Sequence, residues 1–513
     1  MSDNRQLDAA WTYHNATKHS PASIRNDRHF LDWANQPLPF KIYATLDPVP
    51  LPRDFEQTGV AALSAIVETI PPAREAVPSL VALAQLLYFS AGITKRRTYP
   101  GGEIFFRAAA CTGALYEIEL YVACGDLPDL AAGLYHFAPA DFGLRRLRTG
   151  DYRGVLVEAT AGEPSVAHAP AVIICTGTYW RNSWKYQART YRHFGWDNGT
   201  MLANLLAMST ALGLPAKVVA GFVDDELNRL LGADTLREVA FAFVPVGHSS
   251  QNPPAAPREI PPLPLETVPL SKREVDYPLM REMHAASSLR SPEEVEQWRG
   301  GAPAIAAPES SRPLIPLQPL PEAEMPRDTI EQVILRRGST RRFARKPITF
   351  PQLSTLLDRA TRGIAADFLE PLGAHLNQLY LVVNAVEGIE AGAYFFNRQR
   401  RGLELLKPGE FRDQAGHLGL DQDLPADASV AVFFLADLEA ILKRYGNRGY
   451  RAVQLEAGAI GGRLYLGAYA LHLGASGLTF YDDEAVKFFS PHAEGKSAIF
   501  LVALGRSAKA NAP

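Results

Sequence analysis

The sequence is poor in cysteine: Cys111, Cys124 and Cys175 are the only three in 513 residues. An odd, scattered set without a Cys-x-x-Cys spacing excludes a disulfide framework and a zinc ribbon, and it fits a reducing compartment such as the cytoplasm. An excess of charge is also missing. A formal net charge of −3 gives no electrostatic reason to expect nucleic acid or an anionic membrane as a partner. The apolar runs are short. Ala169 to Cys175 and Ser429 to Ala436 fall well below the ~20 residues that a bilayer-spanning helix needs and read as buried strands. Met1 to Ala10 is polar, so no signal core is expected there. What is present, 47% hydrophobic and 21% charged residues, describes a globular chain with material for more than one domain.

A polar and aromatic leader, residues 1–52, contains Tyr13-His14-Asn15-Ala16-Thr17-Lys18-His19-Ser20 and ends in a run of prolines. His14 and Lys18 are spaced to share one face of a surface helix. Helices are expected at Val60 to Thr69, Leu80 to Phe89 and Gly199 to Leu212. Strands are expected at Ile118 to Ala123, Gly133 to Phe137, Gly143 to Leu147, Ala171 to Cys175 and Phe241 to Val246. Residues 251–325 are rich in proline and read as a linker between two domains, 53–250 and 326–513. Ser291-Pro292-Glu293-Glu294 marks one short helix inside it, with an N-cap serine and a proline at the first helical position.

The second half repeats the first. Gly392-Ala393-Tyr394-Phe395-Phe396 follows Gly133-Leu134-Tyr135-His136-Phe137 by 259 residues, and Arg444-Tyr445 follows Lys185-Tyr186 by the same 259. Phe480-Tyr481-Asp482-Asp483-Glu484 follows Phe222-Val223-Asp224-Asp225-Glu226 by 258. A period this long is no solenoid repeat. It is a duplicated domain, and the two copies are expected to pack as an internal pseudo-dimer.

The copies differ in their chemistry. Arg336-Arg337-Gly338-Ser339-Thr340-Arg341-Arg342-Phe343 follows a helical apolar pattern (Ile330, Val333, Ile334, Leu335). Arginine forks, hydroxyls and a glycine suit a phosphate, although a solvated basic helix end has the same composition. The first copy has Val67, Thr69 and Pro71 where the second has Arg337, Ser339 and Arg341, and His248 where the second has Arg506. The loop Ala110-Cys111-Thr112-Gly113-Ala114-Leu115-Tyr116 faces Leu369-Glu370-Pro371-Leu372-Gly373-Ala374-His375, so Glu370 brings a carboxylate where the first copy is small and neutral. Each copy keeps one part of a site, which points to a single composite site at their interface.

These segments resemble a known family. Arg337 to Phe343 resembles the Arg-Arg-Ser-x-Arg-x-Phe signature of the FMN-dependent nitroreductase superfamily, and Ala110 to Tyr116 resembles its Pro-Ser-Ala-Gly-Ala-Leu-Tyr loop. Tyr13 to Lys18, Gly133 to Phe137, Trp184-Lys185-Tyr186 and Gly221 to Asp225 resemble the SagB-type branch, which includes dehydrogenases that oxidise peptide azolines to azoles. The resemblance implies an α+β fold: two tandem nitroreductase-like domains, each a mixed, largely antiparallel sheet flanked by helices. It implies FMN at the interface, with Arg337, Ser339, Arg341 and Arg506 on the phosphate. Gly477, Leu478 and Thr479 would run along the ring, beside Ala110, Cys111, Thr112, Gly113 and Ala114. Lys185 and Tyr186 would be the catalytic pair, and no metal is implied. Two departures stand out: Ala110-Cys111 replaces Pro-Ser, and Arg444 replaces the lysine in the second copy. The implied substrate is a small heterocycle or a modified peptide. The alternatives are an NAD(P)H-dependent flavin reductase of nitroaromatics or quinones, and a non-catalytic scaffold.

Overall fold

The computed structural model describes residues 3–100, 102–303, 305 and 312–508. Each half is built on one antiparallel sheet. In the first, the strand order is Pro48–Pro50, Gly143–Thr149, Gly133–Ala138, Ile118–Cys124, Ala171–Thr178, Glu238–Val246. In the second it is Gly474–Leu478, Ser497–Gly505, Val430–Ala436, Asn377–Val383, Gly392–Asn397, Gly402–Pro408, Leu314–Pro316. The central strands Ala171–Thr178 and Val430–Ala436 are buried along their whole length, as unbroken apolar runs should be. Both proline-rich connectors contribute an edge strand, Pro48–Pro50 and Leu314–Pro316, an allowed place for a residue with no N–H to donate.

Two long helices, Thr190–Ala211 and Arg448–Ala470, cross between the sheets along a glycine seam. A Cβ on Gly199 would lie 2.6 Å from the carbonyl carbon of Gly458, and one on Gly458 would lie 2.7 Å from Gly195 O. Gly199 and Gly458 are 259 residues apart, so the pseudo-twofold axis passes between repeat-related residues. One hydrophobic cluster runs through both halves.

The ion pairs across this axis are reciprocal. Asp224 of the first half accepts from Arg448 (2.5 Å) and Arg451 (2.7 Å) of the second. Asp482 of the second half accepts from Arg192 (2.6 Å) and Arg189 (3.1 Å) of the first. All six side chains are buried.

The leader helix, Asp8–Ala16, differs from the surface helix expected. It buries Tyr13 and His14, and His14 Nδ1 lies 3.2 Å from the Tyr450 hydroxyl. Lys18 lies beyond the helix end and pairs with Asp483 (2.8 Å). Residues 278–298 of the expected linker copy this arrangement on the other side. The helix Pro278–Ala286 places His284 Nδ1 3.3 Å from Tyr191. Ser287 Oγ accepts from Arg451 (2.8 Å) as Thr17 Oγ1 accepts from Arg192 (3.0 Å). The expected short helix follows as Pro292–Trp298, capped by Ser291.

Other elements start or stop elsewhere than periodicity suggests. The helix expected over 60–69 is only Ala62–Ala65, because β-branched Ile66, Val67, Thr69 and Ile70 lead into Pro71-Pro72. The helix expected from Gly199 starts at Thr190; its poor helix formers are held by burial rather than by propensity. A hairpin, Ile93–Tyr99 with Gly102–Arg107, precedes the glycine loop. No helix among the described residues is long and apolar enough to cross a membrane.

Candidate active site

The arginine motif and the glycine loop meet across the interface. The helix Ile330–Arg336 stops at Arg337. Arg337 Nε donates to Ala108 O (2.9 Å) and Nη2 to Arg107 O (3.1 Å), so much of this guanidinium ties the halves together. Its face lies over the Tyr465 ring, 5.9 Å from the centroid. The Tyr465 hydroxyl is 3.2 Å from Ser339 Oγ and accepts from Gly477 N–H at 2.5 Å. Tyr465 therefore links two of the segments picked out in the sequence, yet it belongs to no motif. Its counterpart one repeat earlier is Leu206.

Arg341 is exposed and pairs with no carboxylate among the described residues. It is near enough to Lys185 and Tyr186 to act on both: burial first, and then the Arg341 charge, pull the Lys185 amine below its ordinary value. Lys185 and Tyr186 end the helix Tyr179–Tyr186, whose C-cap Gln187 turns left-handed (φ 50°). The Lys185 ammonium lies 5.2 Å from the centre of the Tyr186 ring. Arg506 stands apart from this group. Its side chain is exposed and donates to Pro347 O (3.0 Å), while its carbonyl accepts from Ala344 N–H just past the arginine motif.

The loop Cys111–Ala114 packs under Tyr186. A Cβ on Gly113 (φ 64°) would meet the Tyr186 hydroxyl at 2.8 Å, which restricts this position to glycine. Ala110 O accepts from Thr200 (2.8 Å). Cys111 is not an isolated small residue. Its sulfur lies 3.3 Å from Asp197 and 3.4 Å from Glu117, so its one proton can go to either carboxyl. Burial, then the Asp197 and Glu117 charges, push it well above the usual thiol range. Neither acid belongs to a sequence motif. The one available signal was that Asp197 recurs as Glu456, 259 residues on.

The repeat-related position in the other half is blocked. There the Asp367 carboxylate caps the N–H groups of Ala220 (3.0 Å) and Gly221 (2.8 Å). Burial outweighs these two bonds and lifts its pKa to about 6. Tyr445 is pinned to Phe368 O (2.8 Å) and packs on Trp298, and Arg444 is tied to Gly301 O and Arg299 O. Arg463, Thr69 and Leu206 line a residual cavity of about 20 Å³. On the side of the arginine motif the residue matching Asp367 is Ala108, and Thr479 stands where the other side has Ala220-Gly221. Thr479 Oγ1 is buried with no hydrogen-bond partner. A buried hydroxyl is left unsatisfied by the chain itself where the other copy supplies a carboxylate. The arginine motif, the glycine loop and the Lys185–Tyr186 pair thus come together on one side of the pseudo-twofold axis.

Known proteins agree with this two-copy layout. The family model described as "Nitroreductase family" matches residues 71–248 and again 334–506. A solved nitroreductase-like protein from Anabaena variabilis is 27% identical, has a TM-score of 0.78, and aligns over 97% of this chain and 99% of its own. The nitroreductase-like protein MJ1384 of Methanocaldococcus jannaschii is 27% identical over 165 residues, covering 32% of this chain and 78% of that protein. Microcin B17-processing protein McbC of Escherichia coli is 26% identical over 145 residues, which is 27% of this chain and 49% of McbC. With both matched regions falling on the two repeated sheets, the chain belongs to the nitroreductase family as a tandem, internally pseudo-dimeric member.

Proposed function

We propose that the protein is an FMN-dependent oxidoreductase of the SagB type, acting on a small heterocycle or a peptide-borne azoline. One flavin would sit between the halves. Arg341, Ser339 and the uncommitted part of Arg337 would hold its phosphate, with Arg506 as an outer cation. Gly477 to Thr479 and Ala110 to Ala114 would line its ring. The likeness to McbC supports this branch.

The observation that carries the reading is the contrast at Thr479 and Asp367. The blocked half fills its ring position with a carboxylate, whereas the other half leaves a buried hydroxyl without a partner. Flavin, when bound, supplies the redox chemistry by taking up a hydride equivalent. The chain's own contribution is proton handling and exclusion of water. Lys185, its amine made less basic by burial and Arg341, is suited to take a proton from substrate. Tyr186, whose phenol burial drives upward, stays protonated and orients substrate as a donor.

The purified protein should be yellow, with about one flavin per chain, and Arg341→Ala should lose most of it, because a dianionic tail then lacks an unpaired cation. Colourless protein that does not quench added FMN fluorescence would sink the reading. Fast reduction by NAD(P)H in stopped flow, with no azoline oxidation, would instead favour a reductase of nitroaromatics or quinones.

A further inference from the structure

Asp197 sits on the long helix Thr190–Ala211, under the loop that faces Tyr186. Its carboxylate accepts from Thr112 N–H (2.9 Å), Thr112 Oγ1 (2.9 Å) and the Cys111 thiol (3.3 Å). The thiol also reaches Glu117 (3.4 Å) and accepts from Tyr116 N–H (3.0 Å). The loop so held is an unfavourable one: Gly113, Ala114 and Tyr116 all have positive φ (64°, 55° and 55°). Alanine and tyrosine stay left-handed only where outside contacts impose it.

The other half shows what this grip is for. Glu456, at the matching helix position, accepts from Leu376 N–H (2.9 Å) and Asn377 N–H (2.8 Å). It therefore holds the chain past the loop, and the residue matching Thr112 is Pro371, which has no N–H to offer. Both copies use an acid to fasten helix to sheet. Only the working copy moves the fastening onto the loop itself.

We propose that Asp197, paired with Glu117, is a positioning residue for the active site, gripping the Cys111–Ala114 loop so that Gly113 abuts the Tyr186 hydroxyl. This rests on the functional reading above. The ligand atoms of Cys111, Glu117 and Asp197 lie within 4.8 Å of one another. Burial first, and then the neighbouring Glu117, raise the Asp197 carboxyl well above its usual range. The bonds from Thr112 go to Asp197 and the bond from Tyr116 N–H goes to Cys111, so most of the cluster's bonds tie it to the loop and make it a clamp. Asp197, Cys111 and Glu117 face Tyr186 from below and raise its phenol, while Lys185, Arg341 and neutral His193 face it from the other sides. Arg107 and Tyr116 flank Cys111.

Three variants test this: Asp197→Asn, Glu117→Gln, and the double variant Glu117→Leu/Asp197→Glu, which copies the Leu376–Glu456 pair. The flavin-independent readout is the pH dependence of iodoacetamide labelling at Cys111, followed by mass spectrometry. Each variant leaves one carboxyl in the cluster, so the labelling reads the loosened clamp: Cys111 should label on the order of ten times faster at pH 8, equivalent to a one-unit fall in thiol pKa. In holoenzyme, the alkaline limb of the turnover profile should move to lower pH, because phenolate forms more easily once the acid below it is gone. The double variant decides between positioning and plain stability. It keeps a helix-to-sheet fastening but releases Thr112, so it should melt like wild type and still label fast. Labelling and alkaline limb both unchanged in the double variant and in Glu117→Gln would overturn the proposal, even if Asp197→Asn fails to fold. Colourless protein would refute the flavin reading and leave the labelling result to stand or fall alone.

Discussion

Lys185 is the residue whose environment departs most usefully from its ordinary chemistry. A free amine near pH 10.4 is a poor base at neutrality. Burial and the Arg341 charge both disfavour the ammonium, so more of the neutral base exists at a given pH. The repeat-related residue cannot serve. Arg444 stays protonated, and its donors go to backbone carbonyls. Lys185→Ala should therefore keep flavin and lose turnover by about 10²-fold, a usual contribution for a positioned base. Its acid limb should also flatten, since turnover that needs the neutral amine rises with pH. Steady-state rates from pH 6 to 9 check this, and wild-type turnover in Lys185→Ala would remove the base role.

At the scale of elements, the glycine seam of the two long helices makes a prediction that depends on neither substrate nor cofactor. Gly458→Ala must push a methyl against Gly195 O and the Trp196 backbone, atoms that cannot rotate away. Overpacking of this kind costs about 1–3 kcal/mol, and the loss should appear as a lower midpoint in urea or heat. An unchanged midpoint would mean that the helices cross elsewhere. The seam was hidden in the sequence, where Gly195, Gly199 and Gly458 look like helix breakers. The repeat was plain because Tyr135 and Tyr394, or Asp224 and Asp482, are chemically constrained pairs at nearly one offset, 259 and 258. The fall from 259 to 258 has a structural cause: Val219-Ala220-Gly221 is answered by Leu478-Thr479, one residue shorter. The second leader stayed hidden in the expected linker. Only His14 with His284, Ala16 with Ala286, and Thr17 with Ser287 persist there at an offset of 270, too few for a pattern without the contacts. Asp367 was illegible for the same reason, since a single acid has no periodicity and its meaning lies in what it caps, and Asp197 left only its recurrence as Glu456.

At the scale of the whole molecule, neither half is complete. Asp224 needs Arg448 and Arg451, and Asp482 needs Arg189 and Arg192. A lone half would bury charges without partners, which is strongly destabilising. Expressed as two chains, 1–303 and 312–513, the protein should therefore form a 1:1 complex that binds FMN, while either chain alone should be colourless and aggregation-prone. The complex should also loosen in acid, with a sign that the buried groups fix. Burial and Arg192 hold His14 neutral, and burial and Arg451 hold His284 neutral. Below about pH 6.5 the separated chains take up protons that the complex excludes, so affinity falls with pH. Burial alone would lift the Asp224 carboxyl, but Arg448 and Arg451 outweigh it and hold it at about 2. Its contribution is complete above pH ~4 and is lost only as pH approaches 2. Titration calorimetry of the two chains between pH 8 and pH 5 should thus show weakening from the histidines, partly offset by Asp367, whose pKa of about 6 in the complex favours association as pH falls, and His14→Phe/His284→Phe should reduce the weakening. Two chains that fold and stay monomeric would contradict the pseudo-dimer as the folding unit.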